Sequence, residues 1–302
     1  MPRVIVHTLL LFATLTSAVA KPPAPSRDLE RIWTNNFTTP QPLGRIRVVD
    51  WNIDRGTNLD RIAAELEHEE PDLCFLQEVD SFTERTGGRN VSEELAKRLK
   101  LNYAFAPEFE ELSQGSEERP AFQGDAILTR LPMRNVRVLR FKRQSGFWKP
   151  EPFLPNWPIF QRREGGRIAL VAELQLPNGA MMAVYNAHLE SRSFGAIQSE
   201  QLDEILADAS HYPPGTALIL AGDLNTKYDP HAFLKKLQHA GWVSAFGDRT
   251  PRTHVFVCAL DWLVAHGPVH IESGMVLRGI GASDHFPISA ELVATPPASS
   301  GE

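Results

Sequence analysis

The sequence has little cysteine and no strong excess of charge of either sign. It contains two cysteines among 302 residues, and 31 lysines and arginines against 37 acidic residues give a formal net charge of −6. So few cysteines exclude a disulfide-rich scaffold, and a mildly acidic chain is not a dedicated nucleic-acid coat. Hydrophobic residues make up 42% of the chain, which is enough for one large domain or two small ones.

Long hydrophobic runs are missing beyond the first 20 residues. Residues 1–20 combine an early basic residue, Arg3, with a short apolar stretch and the small residues Ala18 and Ala20, which is typical of a cleaved secretory signal. Polar residues interrupt this stretch, so a retained membrane anchor is the weaker interpretation. The sequence therefore predicts a secreted protein, periplasmic or extracellular, divided into a signal peptide (1–20), a proline-rich leader (21–44), one domain (45–294) and a disordered tail (295–302).

The two cysteines, Cys74 and Cys258, both lie in apolar contexts. A disulfide between them would need Cα atoms within roughly 7 Å of each other. Because each cysteine is predicted within a core strand, we expect two buried free thiols.

Five apolar runs each end at residues that can hold a metal ion, a phosphate or a proton. Short runs rich in Val, Ile and Leu predict buried strands, and α/β scaffolds usually carry ligands at strand ends. The terminal side chains are carboxylates, amides and imidazoles, which suit divalent-metal phosphoryl chemistry and imply no serine or cysteine nucleophile. The runs are 47–52, 73–78, 182–188, 218–225 and 280–285.

Helical spacing of apolar residues predicts four helices between these runs, at 58–67, after Asn90, at 197–209 and between Asp229 and Gly241. Alternation predicts further strands at 167–176 and 261–264. Residues 105–122 are acidic and are interpreted as a loop. Residues 147–160 are too rich in proline for a helix or a central strand.

Positive charge is concentrated between Arg130 and Arg167, where ten lysines and arginines stand against Glu151 and Glu164. The stretch is a candidate phosphate-facing surface, although such runs are more often simply solvated. Arg167 follows two glycines and either contacts phosphate or caps a strand; the sequence leaves both interpretations open.

The residues at the run ends suggest how hydrolysis would proceed. Glu78 beside an amide on a neighbouring strand can hold Mg²⁺, which takes few protein ligands and keeps several waters. Asp223 and Asn225 are two residues apart on an extended segment, so both side chains point to one side, where one can take a proton from water while the other positions it. His285 offers a donor to the phosphorus centre, and Asp261 can orient that imidazole.

Six short blocks occur in the order found in a known family: WNID at 51–54, LQEVD at 76–80, NAHLE at 186–190, GDLN at 222–225, LDW at 260–262 and SDHFP at 283–287. As an ordered set they resemble the endonuclease/exonuclease/phosphatase superfamily, which includes abasic-site endonucleases, pancreatic-type deoxyribonucleases, secreted neutral sphingomyelinases and inositol polyphosphate 5-phosphatases. The resemblance implies an α/β fold, a four-layer sandwich of two packed mixed β-sheets flanked by helices, with the site at one edge.

The resemblance also implies roles for single residues. Glu78 would be the principal metal ligand, with Asn52, Asp54 and Asp284 nearby, although Asp54 taken alone is more typical of a turn. Asp223 and Asn225 would activate and place the water. His188 and His285 would contact the phosphate, with Asp261 behind His285. Members of the family differ over whether an aspartate or the final histidine is the base, and that choice stays open here.

The substrate is a phosphate ester whose class the sequence does not decide: nucleic acid, phospholipid or soluble phosphate. Arg130, Arg167, Trp148 and Trp157 are the candidate substrate contacts, since the two Trp lie in the basic stretch and suit either base stacking or a lipid interface. We expect a monomeric Mg²⁺-dependent hydrolase, with Mn²⁺ or Ca²⁺ as alternative metals and no obligate protein partner. Endonuclease-like activity is favoured over a sphingomyelinase-like or inositol-phosphatase-like one. A non-catalytic binding protein would be expected to lack Glu78, Asp223 or His285, and none is missing.

Overall fold

The computed structural model describes residues 27–38, 44–146, 162–176, 178–256 and 259–294. The predicted signal peptide, the ends of the leader, Trp148, Trp157, Cys258 and the predicted tail lie outside the described residues. Among the helices that are described, none is long and apolar enough to cross a membrane.

The first β-sheet of the described chain has eight strands and contains the parallel pair that carries three of the predicted metal ligands, Asn52, Asp54 and Glu78. Its order is β1-β4-β5-β3-β2-β14-β13, with β7 added on β4, and only β2 and β3 run parallel. The strands are β1 (Trp33–Asn35), β2 (Ile46–Arg55), β3 (Leu73–Ser81), β4 (Asn102–Glu111), β5 (Phe122–Thr129), β7 (Arg163–Gly165), β13 (Val269–Val276) and β14 (Ile288–Ala294).

The second β-sheet has six strands in the order β11-β12-β10-β9-β8-β6, of which β9 and β10 run parallel. The strands are β6 (Met133–Arg140), β8 (Ile168–Gln175), β9 (Met181–Ala187), β10 (Ala217–Asp223), β11 (Val243–Ser244) and β12 (Asp261–His266).

Two helices cover the outer face of each sheet. α1 (Leu59–Glu69) and α2 (Val91–Leu99) bury their apolar stripes on the first sheet, and α3 (Ala196–Ala209) and α4 (Pro230–His239) on the second. The predicted caps are present: the side chain of Asn90 accepts a hydrogen bond from the Glu93 amide, and that of Asp229 accepts one from the Ala232 amide. The result is the four-layer α/β sandwich that the sequence predicts.

The inner faces of the two sheets form an apolar core that becomes polar at one edge. Val48 of β2 and Ile219 of β10 lie fully buried between the sheets. Because side chains on a strand alternate between its two faces, Asn52 and Asp223, each four residues further on, point to the same interior. The edge where β2, β3, β9 and β10 end is therefore lined by polar groups and is here called the site edge.

Three segments differ from the sequence prediction. Residues 280–285 form a loop and not a strand, and His285 makes only an isolated bridge with His254. Residues 105–111 belong to β4 and not to an acidic loop, because buried arginines pair with their carboxylates. Part of the leader forms the edge strand β1, in which Trp33 packs against the rings of Phe105 and Phe122.

Cys74 is a fully buried free thiol in β3, as predicted. Its burial raises the pKa of the thiol, which therefore stays protonated and unreactive.

Candidate active site

Breaks in regular strand pairing turn several polar side chains toward the site edge. The β2–β3 register shifts between Asn52 and Arg55, and the β3–β5 register shifts before Val79. Glu78 takes a left-handed backbone conformation with φ of 51°, and Asp54 one with φ of 43°. Such conformations are uncommon for residues other than glycine and cluster at functional sites. The irregular backbone explains why these carboxylates leave the flat faces of the sheet.

Gly222 of β10 allows a close approach to the end of the neighbouring strand β9, just before Asp223. Its φ is 134°, and a Cβ there would lie 2.0 Å from the carbonyl oxygen of Ala187. No other residue type fits this contact without moving the backbone, so the glycine of the GDLN block sets the position of Asp223.

Asp223 is the centre of the polar cluster. Its Oδ2 lies 3.2 Å from Nδ2 of Asn52, 3.6 Å from Nε2 of His188 and 3.7 Å from Nε2 of His285. Its Oδ1 accepts a 3.0 Å hydrogen bond from the backbone amide of Asn225, whose own side chain donates to the carbonyl oxygen of Leu189 at 2.9 Å. The structure thus brings together residues that are far apart in sequence around one carboxylate that is 3% exposed.

His285 is held from behind by Asp261. Its Nδ1 lies 2.9 Å and 3.0 Å from the two carboxylate oxygens of Asp261, which leaves Nε2 facing Asp223. Burial alone would lower the pKa of His285, but the carboxylates of Asp261 and Asp223 raise it to about 10. The imidazole therefore serves as a charged donor at neutral pH.

His188 is held by a buried ion pair between Arg167 and Glu108. Nη1 of Arg167 lies 3.0 Å from Oε2 of Glu108 and 2.8 Å from Nδ1 of His188. A guanidinium only donates, so Nδ1 accepts and the ring proton lies on Nε2, the atom that faces Asp223. Arg167 therefore orients His188 through a direct hydrogen bond and does more than cap a strand.

The charges near Glu78 suit a divalent cation. Burial would raise the pKa of Glu78, but nearby basic side chains, Arg55 and Arg167 among them, lower it to about 2, so the carboxylate is ionised. The pKa of Asp54 is raised by burial, with Arg55 opposing and the charges of Glu78 and Asp284 adding to the increase. Carboxylates that repel one another in this way are relieved by a bound cation.

These oxygen donors fit a hydrated divalent cation. Within the described residues, Glu78 makes only long hydrogen-bond contacts, 3.4 Å to Nδ2 of Asn52 and 3.5 Å to Nε2 of Gln123, so its oxygens remain available. It belongs to none of the clusters of three carboxylate or imidazole ligands found within the described chain. A metal at Glu78 would therefore keep several waters, as Mg²⁺ commonly does.

His254 joins the cluster although the sequence did not single it out. Its Nδ1 accepts from the Phe256 amide at 3.1 Å, which places the proton on Nε2, 3.3 Å from Oδ2 of Asp284. Its ring also packs edge-on against His285, with centroids 4.7 Å apart. The hydrogen bond from His254 lowers the pKa of Asp284 to about 2, because it outweighs the opposing effect of burial and the charge of His285 acts in the same direction. His254 thus holds a predicted metal ligand in its charged form.

Asp125 is a second residue that the sequence did not single out. Its carboxylate is fully buried and lies near Glu108 and His188, and neither oxygen has a hydrogen-bond partner among the described residues. Its pKa is raised well above the usual range by burial and by the charge of Glu108. The guanidinium of Arg167 already occupies this cluster, so a metal is not expected there.

Sequence signals for Glu108 and His254 were weak. Glu108 lies in a stretch whose acidity favours a loop, and its partner Arg167 is 59 residues away in the chain. His254 stands before the apolar run 255–260 and not at its end, so it does not fit the pattern of ligands at the ends of strands. Only the three-dimensional pairing identifies them.

Arg130 is not brought to this cluster. It follows β5 at the end paired with the start of β3, opposite the site edge, and its Nε lies 3.0 Å from Oδ1 of Asp72. Other arginines of the basic stretch also pair with carboxylates, so it is largely a set of structural ion pairs: Arg137–Asp208, Arg140–Glu30, Arg143–Glu200 and Arg163–Glu111.

Solved structures that are similar to this fold include the following three. An endonuclease/exonuclease/phosphatase from Beutenbergia cavernae is 21% identical with a TM-score of 0.62, covering 85% of this chain and 74% of that one. A humanized D. rerio TDP2 is 18% identical with a TM-score of 0.58, covering 83% and 99%. The human nocturnin catalytic domain, solved with a bound sulfate anion, is 18% identical with a TM-score of 0.58, covering 88% and 97%.

No curated protein matches the chain in sequence. Residues 51–285, which span every predicted catalytic and metal-binding residue, match the model of the endonuclease/exonuclease/phosphatase family. Members of this family are metal-dependent hydrolases of phosphate esters. The chain therefore belongs to the endonuclease/exonuclease/phosphatase family and is an enzyme of that class.

Proposed function

We propose that the protein is a secreted, Mg²⁺-dependent phosphodiesterase that hydrolyses nucleic acid by in-line attack of a water molecule. The observation that carries the hydrolytic mechanism is the convergence of Asn52, His188 and His285 on a single oxygen of Asp223. One acceptor surrounded by three donors is the arrangement needed to take a proton from water while a phosphoryl group is bound alongside.

Asp223 is the proposed base. The amide of Asn225 holds Oδ1, and Asn52 donates to Oδ2, so the carboxylate is fixed in the orientation that receives the proton. His285 is the proposed donor to the phosphoryl oxygens, because Asp261 occupies its Nδ1 and leaves Nε2 to face the substrate. His188, held by Arg167, donates from the second side.

Glu78, with Asn52, Asp54 and Asp284, would hold the metal. A cation held there would polarise a phosphoryl oxygen and neutralise the charge that develops on it. The chain's own contribution is to keep Glu78 ionised and Asp284 charged, through the basic neighbours of Glu78 and the hydrogen bond from His254.

A panel assay tests the proposed substrate. Plasmid DNA, single-stranded DNA, RNA, sphingomyelin vesicles, and soluble phosphomonoesters and diesters are each incubated with Mg²⁺ or with excess chelator. We expect Mg²⁺-dependent cleavage of nucleic acid, and loss of that cleavage in His285→Ala. Turnover confined to sphingomyelin or to phosphomonoesters would contradict the nucleic-acid assignment while leaving the hydrolytic mechanism intact.

Export is tested separately by N-terminal sequencing. The full chain is expressed in a bacterial host, and the protein recovered outside the cytoplasm is expected to begin at Lys21. Recovery of uncleaved protein beginning at Met1, whether in membranes or in cytosol, would contradict the predicted signal peptide.

A further inference from the structure

Two neighbouring aromatic rings stand out on the surface beside the catalytic cluster. The side chain of Phe194 is 87% exposed and that of Tyr228 is 50% exposed. Their ring centroids lie 5.2 Å apart with an interplanar angle of 57°. Neither ring belongs to a core cluster among the described residues, so their contribution to packing is small.

Both rings lie on loops that begin at catalytic residues. Phe194 is in the loop between β9 and α3, six positions after His188, and Tyr228 is three positions after Asn225. Nζ of Lys227 ties the two loops together by donating to the carbonyl oxygen of Ser191 at 2.9 Å. The same ammonium lies 5.5 Å from the centroid of the Tyr228 ring. The two rings therefore lie on linked loops next to the catalytic cluster, with one ammonium group beside them.

A cleft of about 220 Å³ is lined by both rings and by one residue of the catalytic cluster, Asn225. Phe194 and Tyr228 stand on its wall, Phe233 adds a buried apolar surface, and Asn225 reaches its lining from the cluster. Gln198, Ser199 and Thr226 supply polar groups to the same lining. A flat aromatic group with polar edges matches these walls.

We propose that Phe194 and Tyr228 form a stacking platform for an unpaired nucleobase next to the phosphate that is cleaved. This rests on the proposed function, because it identifies what lies beside the scissile bond. Bases present a π-face to aromatic rings and their phosphates attract the neighbouring ammonium. A base inside a duplex is already stacked on its neighbours, so the platform selects single strands or flipped bases.

The surroundings argue against a lipid surface. Exposed charged residues, Arg192 and Asp229, lie beside the two rings, so the apolar area is not a continuous patch. Insertion into a membrane interface depends on a broad apolar face. Two rings within a polar surface fit a planar ligand better.

Binding of two labelled strands tests the platform. One is short single-stranded oligothymidylate; the other has the same length and phosphates but abasic sugars. Fluorescence anisotropy is measured in excess chelator, so that no strand is cleaved. The Phe194→Ala/Tyr228→Ala double variant should bind oligothymidylate roughly 5- to 150-fold more weakly than wild type, because each aromatic–base stack contributes that much. Its affinity for the abasic strand should be unchanged.

Matched variants complete the test. Val243→Ala removes another exposed apolar side chain, on β11 of the second sheet, and should leave both affinities unchanged. Phe194→Tyr should retain binding, because it keeps the ring. If the double variant lost equal affinity for both strands, or lost none for either, the platform would be overturned. The same holds if the double variant lost binding to anionic phospholipid vesicles but still bound oligothymidylate like the wild type. The binding assay does not measure cleavage. If the proposed function were wrong, the wild type would fail to cleave nucleic acid in the substrate panel, while its base-dependent binding could still persist here.

Discussion

Replacing Asp223 with asparagine tests the proposed base with little change in shape. Oδ1 would still accept from the Asn225 amide at 3.0 Å. At the position of Oδ2, an NH₂ group would face Nδ2 of Asn52, 3.2 Å away in the wild type, so that two donors would meet. The variant also loses the anion that His188 and His285 face.

The expected loss in turnover is large and the expected loss in stability is small. Removing general base catalysis lowers kcat by roughly 10²- to 10⁴-fold, or about 3 to 5 kcal/mol in activation free energy. A buried hydrogen bond replaced by two facing donors costs about 1 to 3 kcal/mol of unfolding free energy, and the relief of a buried charge offsets part of that. Melting temperature should fall by no more than about 10 °C.

The assay is steady-state hydrolysis of a small chromogenic phosphodiester with saturating Mg²⁺, with thermal unfolding measured on the same samples. Asp60→Asn is the matched control, because Asp60 is exposed and pairs only at the surface with Arg98. It should keep full turnover. If Asp223→Asn retained kcat within tenfold of wild type while folded, Asp223 would not be the base.

Three further predictions concern metal affinity, substrate binding and acid stability. His254→Ala frees Asp284, so the Mg²⁺ concentration for half-maximal activity should rise roughly 10- to 100-fold; an unchanged value would refute this role. Trp148→Ala/Trp157→Ala should weaken activity on the macromolecular substrate and spare the chromogenic ester, whereas equal losses with lower stability would indicate scaffold packing. Burial raises the pKa of Asp208, but the hydrogen bonds that its carboxylate accepts have a larger effect, and the net pKa is lowered. The carboxylate therefore stabilises the fold at pH values above the ordinary aspartate pKa, and this stabilisation is lost as the pH falls through the lowered pKa of the folded protein. Urea unfolding of Asp208→Asn should therefore show a smaller stability deficit in acid than at neutral pH, and a pH-independent deficit would contradict the linkage.

Sequence alone could predict the features that depend on local pattern. Asn52 and Asp223 could be predicted because each ends a short apolar run that indicates a buried strand. Side chains alternate between the two faces of a strand, so the pattern also indicates which face carries each of them. Caps such as Asn90 are visible because their partners are three residues away. The ordered blocks then fix the family.

The features that sequence could not predict depend on pairing across the chain. The acidity of residues 105–122 favoured a loop because nothing local shows that Arg167 would neutralise Glu108 within a strand. The apolar start of 280–285 favoured a strand, but Trp51 and the carbonyl oxygen of His285 make a 3.0 Å hydrogen bond that fixes this segment as a loop over β2. His254 is recognised only through its contacts with Asp284 and His285.

The central claim is that hydrolysis needs a divalent metal held at Glu78. The most direct measurement is turnover of the chromogenic phosphodiester in excess chelator and during Mg²⁺ readdition, for wild type, Glu78→Gln and the exposed control Glu67→Gln. Wild type and Glu67→Gln should lose all turnover in chelator and regain it together, while Glu78→Gln should stay mostly inactive, because the amide keeps the size of the side chain and removes the charge that anchors the cation. Full wild-type activity in excess chelator, or full recovery of Glu78→Gln at the same Mg²⁺ concentration, would contradict the account.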